Sequence, residues 1–196
     1  MIAAIENGII ARLRAASDAG VLGYAYRHLG SYPTDWDMYL KEAQINCPAA
    51  WVTFGGWSSV DKSRSGTRVR GSFGLVVAAM NHRNEVATRH GQATATGTEV
   101  GSYQMVLDAC GLLLDHDLGL SITGLELGSC QFVRPSAAII ERKWSMLAVQ
   151  FTTQFQIAPT ATGDDDLNDF RTFDVRWESP DSQALAHDII TLPTAD

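Results

Sequence analysis

Val69 to Asp115 reads VRGSFGLVVAAMNHRNEVATRHGQATATGTEVGSYQMVLDACGLLLD, and its two ends carry different periods. From Val69 to Ala79 the odd positions Val69, Phe73, Leu75, Val77 and Ala79 are apolar. The even positions begin polar at Arg70 and Ser72, then turn apolar at Val76, Ala78 and Met80. Period two predicts a strand, and the change along it predicts one end covered on both faces. Further on, Tyr103, Val106, Leu107, Cys110, Leu113 and Leu114 make an apolar stripe at helical spacing. They predict a main helix from about Thr98 to Asp115. Between strand and helix lies a basic, polar turn with Asn81, Arg83, Asn84, Arg89 and Gly91. A strand followed by a helix with one apolar stripe predicts a helix laid on a sheet.

The flanks extend this pattern. Ile2, Ile5, Ile9 and Leu13 define one face of an amphipathic helix ending near Asp18–Gly20. Tyr24–Leu29 is a strand candidate. Thr34 is the expected N-cap of a helix running to about Ile45. A short apolar strand, Ala49–Gly55, follows Pro48. Trp57–Gly66 reads as a loop rich in Ser, Gly and charge. Leu120–Leu127 and Cys130–Val133 are short strand candidates. Trp144–Ile157 alternates over its whole length, with Leu147, Val149, Phe151, Phe155 and Ile157 against Gln150, Thr152, Gln154 and Gln156. Arg171–Trp177 alternates again. The expected fold is α+β: a mixed or antiparallel sheet with helices packed on one face. Residues 1–178 are expected to form a single domain and 179–196 a C-terminal arm or flexible tail. That arm has Pro180 and Pro193, yet Leu185, Ile189, Ile190 and Leu192 make it apolar for a solvated tail.

Composition narrows the function. A net charge of −7 and a pI near 5.1 disfavour a general nucleic-acid binder. Cys47, Cys110 and Cys130 are widely spaced and form no CxxC pair, which predicts reduced thiols. His28, His82, His90, His116 and His187 show no HxH or HExxH spacing. Asp115-His116-Asp117 reads as a solvated helix end, and Asp164-Asp165-Asp166 as an acidic loop without calcium-loop spacing. Gly97–Gly101 lacks a phosphate-loop lysine, and no GxSxG elbow occurs. No catalytic set, metal site or cofactor is therefore expected, and no enzyme. The N-terminus does not read as a signal peptide, and no apolar run reaches membrane-spanning length. Lys62, Arg64, Arg68 and Arg70 make the densest basic segment. It lacks the interleaved aromatics of a nucleic-acid site, so a solvated loop or a protein interface is expected. Leu185, Ile189 and Ile190 in the arm are the other interface candidates.

The order of these pieces resembles one family. The opening helix MIAAIENGIIARLRAA is similar to that of the Mu-like phage tail proteins. So are the apolar strand from Cys47-Pro48 and the succession Asn81-x-Arg83-Asn84-Glu85, Arg89-x-Gly91, Gly101-x-Tyr103 and Leu118-Gly119-Leu120. A late strand with Gln150-Phe151-Thr152-Thr153-Gln154-Phe155 also matches. The resemblance covers roughly residues 1–157. It implies a tail terminator: a homohexameric ring that caps the tail tube at its head-proximal end and joins it to the capsid neck. The implied partners are the tube protein, a neck or head-completion protein and, in a contractile tail, the sheath protein. DNA would pass through the lumen without specific binding. The implied location is the virion, after assembly in the host cytoplasm. Competing expectations are a neck or head-completion connector, a small enzyme of unknown substrate, and a nucleic-acid-binding module.

Overall fold

The computed structural model describes residues 1–35, 38–39, 45–63, 65–81, 85–94, 97–134, 137–160, 172–178 and 184–191. For 94, 97–98, 137–138, 172–178 and 184–191 only the backbone is described. The chain divides into two compact units, Met1–Ala158 and Pro159–Asp196.

The first unit is built on a five-stranded mixed sheet of order β1-β2-β3-β7-β6. Its strands are β1 (His28–Ser31), β2 (Ala49–Ser63), β3 (Gly66–Met80), β6 (Glu126–Phe132) and β7 (Trp144–Ile157). β1 runs parallel to β2, and every other pairing is antiparallel. The helices are α1 (Ile2–Asp18), α2 (Glu85–His90), α3 (Ser102–Leu113) and α4 (Ala137–Glu141). A small hairpin of β4 (Gln92–Thr94) and β5 (Gly97–Glu99) stands apart from the main sheet.

Period two decides the two faces. Val69, Phe73, Leu75, Val77 and Ala79 of β3 share one core cluster with Leu147, Val149, Phe151 and Phe155 of β7. Ile5, Ile9 and Leu13 of α1 and Met105, Ala109 and Leu113 of α3 close the same cluster. Ile5, Ile9 and Leu13 are fully buried at four-residue spacing, each stabilising by roughly 1.5–3 kcal/mol. The opposite face carries a second cluster: Trp51, Val76, Ala78, Trp144 and Met146, with Ile139 of α4 and Ile45. One end of the sheet is therefore covered on both sides, as the change along β3 predicts. The long helices lie on one face, and the short α4 contributes to the other.

Several elements differ from their sequence reading. Trp57–Gly66 is not a loop: β2 runs on to Ser63 and pairs with β3 down to Ser63↔Gly66. Ladder pairing with β3 overrides the Ser/Gly composition. Irregularities at Phe54/Gly56 and Ser59/Asp61 absorb the mismatch, with Gly56 at φ +106°. α3 starts at Ser102 rather than Thr98, because 97–99 are taken into β5. Its buried stripe is Ser102, Met105, Val106, Ala109 and Leu113; Leu107 is 66% exposed. The apolar arc on α3 is wider than its contact, and the sheet covers only the Met105–Ala109–Leu113 side. Strand β1 begins at His28, after a bend that occupies part of Tyr24–Leu29. The expected helix after Pro33 is capped by Asp35, not Thr34: the Met38 amide donates to Asp35 Oδ1 at 2.9 Å. Most of that helix lies outside the described residues.

The glycines of the Arg89-x-Gly91 and Gly101-x-Tyr103 motifs meet at one crossing. Gly91 ends α2 at φ +78° and donates to Ala87 O at 2.8 Å. A Cβ on Gly101 would stand 2.2 Å from both Arg89 O and Gly91 N. Nearby, the Asn81 amide donates to Glu99 Oε2 at 2.7 Å, fixing the end of β3 to β5. Ser102 Oγ and Ser145 Oγ, both buried, lie 2.8 Å apart and join α3 to β7. Arg83 and Asn84 of the same segment lie outside the described residues.

The second unit contains an antiparallel pair, β8 (Thr172–Glu178) and β9 (Ala184–Thr191), registered from Thr172↔Thr191 to Glu178↔Ala184. By compactness the chain divides at 158/159, inside the span expected to form the single domain of residues 1–178. The region expected to be an arm supplies β9, the ladder partner of β8.

Candidate assembly interface

The basic residues sit where β2, β3 and β7 run on beyond the ends of β1 and β6. Beyond Val52, β2 has no partner on its β1 side among the described residues, since β1 pairs only with 49–52. The β2–β3 arm therefore presents an open edge from Thr53 to Ser63. Trp57, Val60, Asp61 and Lys62 are exposed there. Arg68 and Arg70 are exposed on β3, two residues apart and so on one face. Arg68 stands between Asp61 and Gln156, and Arg70 between Ser58 and Gln154, in the cross-strand register. Lys62 pairs with Thr67 and points to the other face. The arm is basic on both sides. Arg64 lies outside the described residues. Leu185, Ile189 and Ile190 lie in β9; Ile189 is registered with Asp174 and Ile190 with Phe173.

A second surface was not legible as such in the sequence. Strand β6 is the opposite edge of the sheet, and every residue in it is exposed. Leu127, Cys130 and Phe132 are registered with Phe151, Val149 and Leu147, all on the helix-covered face. The irregularity between Leu127 and Cys130 restores that facing after Gly128-Ser129. Tyr103 and Leu107 stand exposed on α3 and Leu114 just past its end, and the Tyr103 and Phe132 rings lie 6.1 Å apart. The detectable signal was charge. From Gly91 to Val133 there is no lysine or arginine, but five carboxylates: Glu99, Asp108, Asp115, Asp117 and Glu126.

A cleft of about 620 Å³ lies at the end of β3 and is lined by residues including Tyr24, Arg27, Cys47, Met80, Asn81 and Glu99. Burial pushes the Cys47 thiol up to about 12, against a smaller lowering by Arg142. Burial, and then the neighbouring Tyr26, raise Tyr24 well above the usual phenol range. Tyr26 is pushed up to about 12, mainly by burial. These shifts keep thiol and phenols protonated at neutral pH, the opposite of what a nucleophile or base needs. Burial also raises Cys110 and Cys130. On the other side of β2, His28 Nε2 and the Tyr39 hydroxyl are 2.9 Å apart, and Trp51 Nε1 donates to that hydroxyl at 3.3 Å. Burial, then the Arg14 charge, lower the His28 pKa. Among the described residues no three His, Cys, Asp or Glu side chains group as metal ligands. No described helix is long and apolar enough to cross a membrane.

These features define an α+β protein whose prominent surfaces are sheet edges and an apolar rim. The chain belongs to the family described as Bacteriophage Mu, Gp37, whose model matches residues 1–156. That span covers nearly all of the first unit and ends just before the division at 158/159. Membership makes it a phage structural, tail-related protein. No curated protein matches the chain.

Proposed function

We propose that this protein is a tail terminator: a ring of six copies that caps the tail tube at its head-proximal end. The observation that carries the reading is the family match across the whole sheet-and-helix unit. The role is structural rather than catalytic. A terminator must match the rotational symmetry of the tube beneath it, so its contacts are heterologous and close after six rotations. Two different surfaces on opposite sheet edges suit such a contact. The basic arm with Lys62, Arg64, Arg68 and Arg70 is assigned to a subunit or tube interface. Leu185, Ile189 and Ile190 of β9 are assigned to a neighbouring copy. The outward partners are the tube protein, a neck or head-completion protein, and the sheath protein if the tail contracts. DNA passes the lumen without specific binding. The protein works in the virion after assembly in the host cytoplasm.

Electron microscopy of native tails, with the protein labelled, tests the reading. Six copies at the head-proximal end of the tube are expected, and tails lacking the protein should grow to irregular length. Copies bound to the capsid in a tail-less lysate would instead make it a neck connector. Copies on neither structure would remove both roles.

A further inference from the structure

We infer that the surface formed by α3 and β6 is the seat for the basic β2–β3 arm of a second copy of this chain. The inference rests on the ring reading and names the two surfaces that join its copies. Three observations carry it.

The first is uncovered apolar area. Leu127, Cys130 and Phe132 share the face that α1 and α3 cover elsewhere, yet Phe132 is 51% exposed. Tyr103 and Leu107 on α3, and Leu114 just past its end, add exposed apolar side chains. An exposed apolar patch in a stretch without lysine or arginine, with Asp115 and Glu126 where α3 meets the start of β6, has the composition of an interaction site. An edge strand with Glu126 as its one charged residue also lacks the lysines that blunt free edges.

The second is charge. The stretch that carries the seat has no basic residue; with Glu99 held by Asn81 and Asp108 by Gln104, it leaves Asp115, Asp117 and Glu126 to meet cations, while the arm carries Lys62, Arg64, Arg68 and Arg70 against Asp61 alone. The arm also offers apolar groups of its own, Trp57 and Val60, both about half exposed. Apolar area thus meets apolar area, and cations meet carboxylates. Such complementarity fixes which surface is chosen as well as how fast it is found.

The third is placement. β2 and β6 lie on opposite sides of β3 and β7, three strand spacings or roughly 14 Å apart. The open edges face away from each other, so one subunit cannot satisfy its own pair. A second copy can, and the contact is then head to tail. A two-fold contact would have to join arm to seat twice in one interface, which edges on opposite sides of the sheet do not allow.

The test uses the exposed native Cys130 as a reporter. Val60→Cys full-length protein, concentrated to about millimolar and treated with a short bis-maleimide, should give a covalent ladder extending beyond dimers. Adding Cys130→Ser should abolish the ladder. Leu107→Glu, at an exposed position, should leave the melting temperature unchanged and weaken self-association roughly tenfold or more by sedimentation. A product that stops at dimers and needs Cys130 alone overturns the inference, as does a protein that stays monomeric at every concentration. The two readings fail separately. Six copies on tails that give no Val60→Cys to Cys130 cross-link would refute these surfaces and leave the terminator role standing. A ladder from a protein absent from tail ends would do the reverse.

Discussion

Replacing two leucines six residues apart on α3 should give opposite results. Leu113 is fully buried in the cluster with Ile5, Ile9, Leu13 and Leu125, whereas Leu107 is 66% exposed. Leu113→Ala removes buried methyls and leaves a cavity among residues of α1, α3 and the β sheet. The expected loss is about 2–5 kcal/mol. For a chain of this size each kcal/mol moves the melting temperature by roughly 2–4 °C, so the shift should be about 4–20 °C. Leu107→Ala exposes little new surface, and alanine is the better helix former. Its effect should lie within about 0.5 kcal/mol of zero. Trp51 and Trp144 are buried in the same unit, so tryptophan fluorescence during urea or thermal unfolding reports the right transition. Losses of equal size would refute the placement of the helix on the sheet. A large loss at Leu107 alone would show α3 rotated to the stripe that the sequence suggested. If the ring contacts are as inferred, Leu107→Ala should weaken assembly while sparing the fold.

Three further outcomes follow from other parts of the structure. Gly101→Ala would force a Cβ to 2.2 Å from two backbone atoms, so a loss of about 3 kcal/mol or more, or insoluble protein, is expected on expression and thermal melting. With a thiol reagent at pH 8, Cys130 should react first and Cys47 last, because burial holds Cys47 protonated; mass-resolved labelling of the native protein in which Cys47 leads would contradict this. Folding lowers the His28 pKa, so the unfolded chain takes up that proton first; its contribution is full above the unfolded value of 6.5 and is lost as pH falls through it, levelling off below the folded pKa. Urea midpoints from pH 8 to 5 should drop more steeply for the wild type than for His28→Gln, and parallel slopes would remove His28 as the cause.

Local periodicity determined much of this protein. The period-two run of Trp144–Ile157 became β7 with the same ends, and the four-residue spacing of Ile5, Ile9 and Leu13 became the buried face of α1. The two-sided cover at one end of β3 was also written in its alternation. These patterns survive because a strand or helix exposes its faces at a fixed period whatever it later meets. Tertiary contact decided the rest. Ser58, Ser59 and Ser63 have no strong strand preference, but a ladder with β3 holds them extended. Five apolar stripe positions within α3 were candidates for the core, and the position of the sheet buried Val106 and Leu113 of them together with Met105 and Ala109, leaving Leu107 exposed. Gly101 is a weak cue in sequence, and its meaning lies in a backbone ten residues back. The β6 surface exists because an irregularity turns Leu127, Cys130 and Phe132 to one side, where α3 reaches Phe132 through the Tyr103 ring and leaves the strand exposed. Facing depends on pairing partners distant in the chain, and a single sequence records those partners only indirectly.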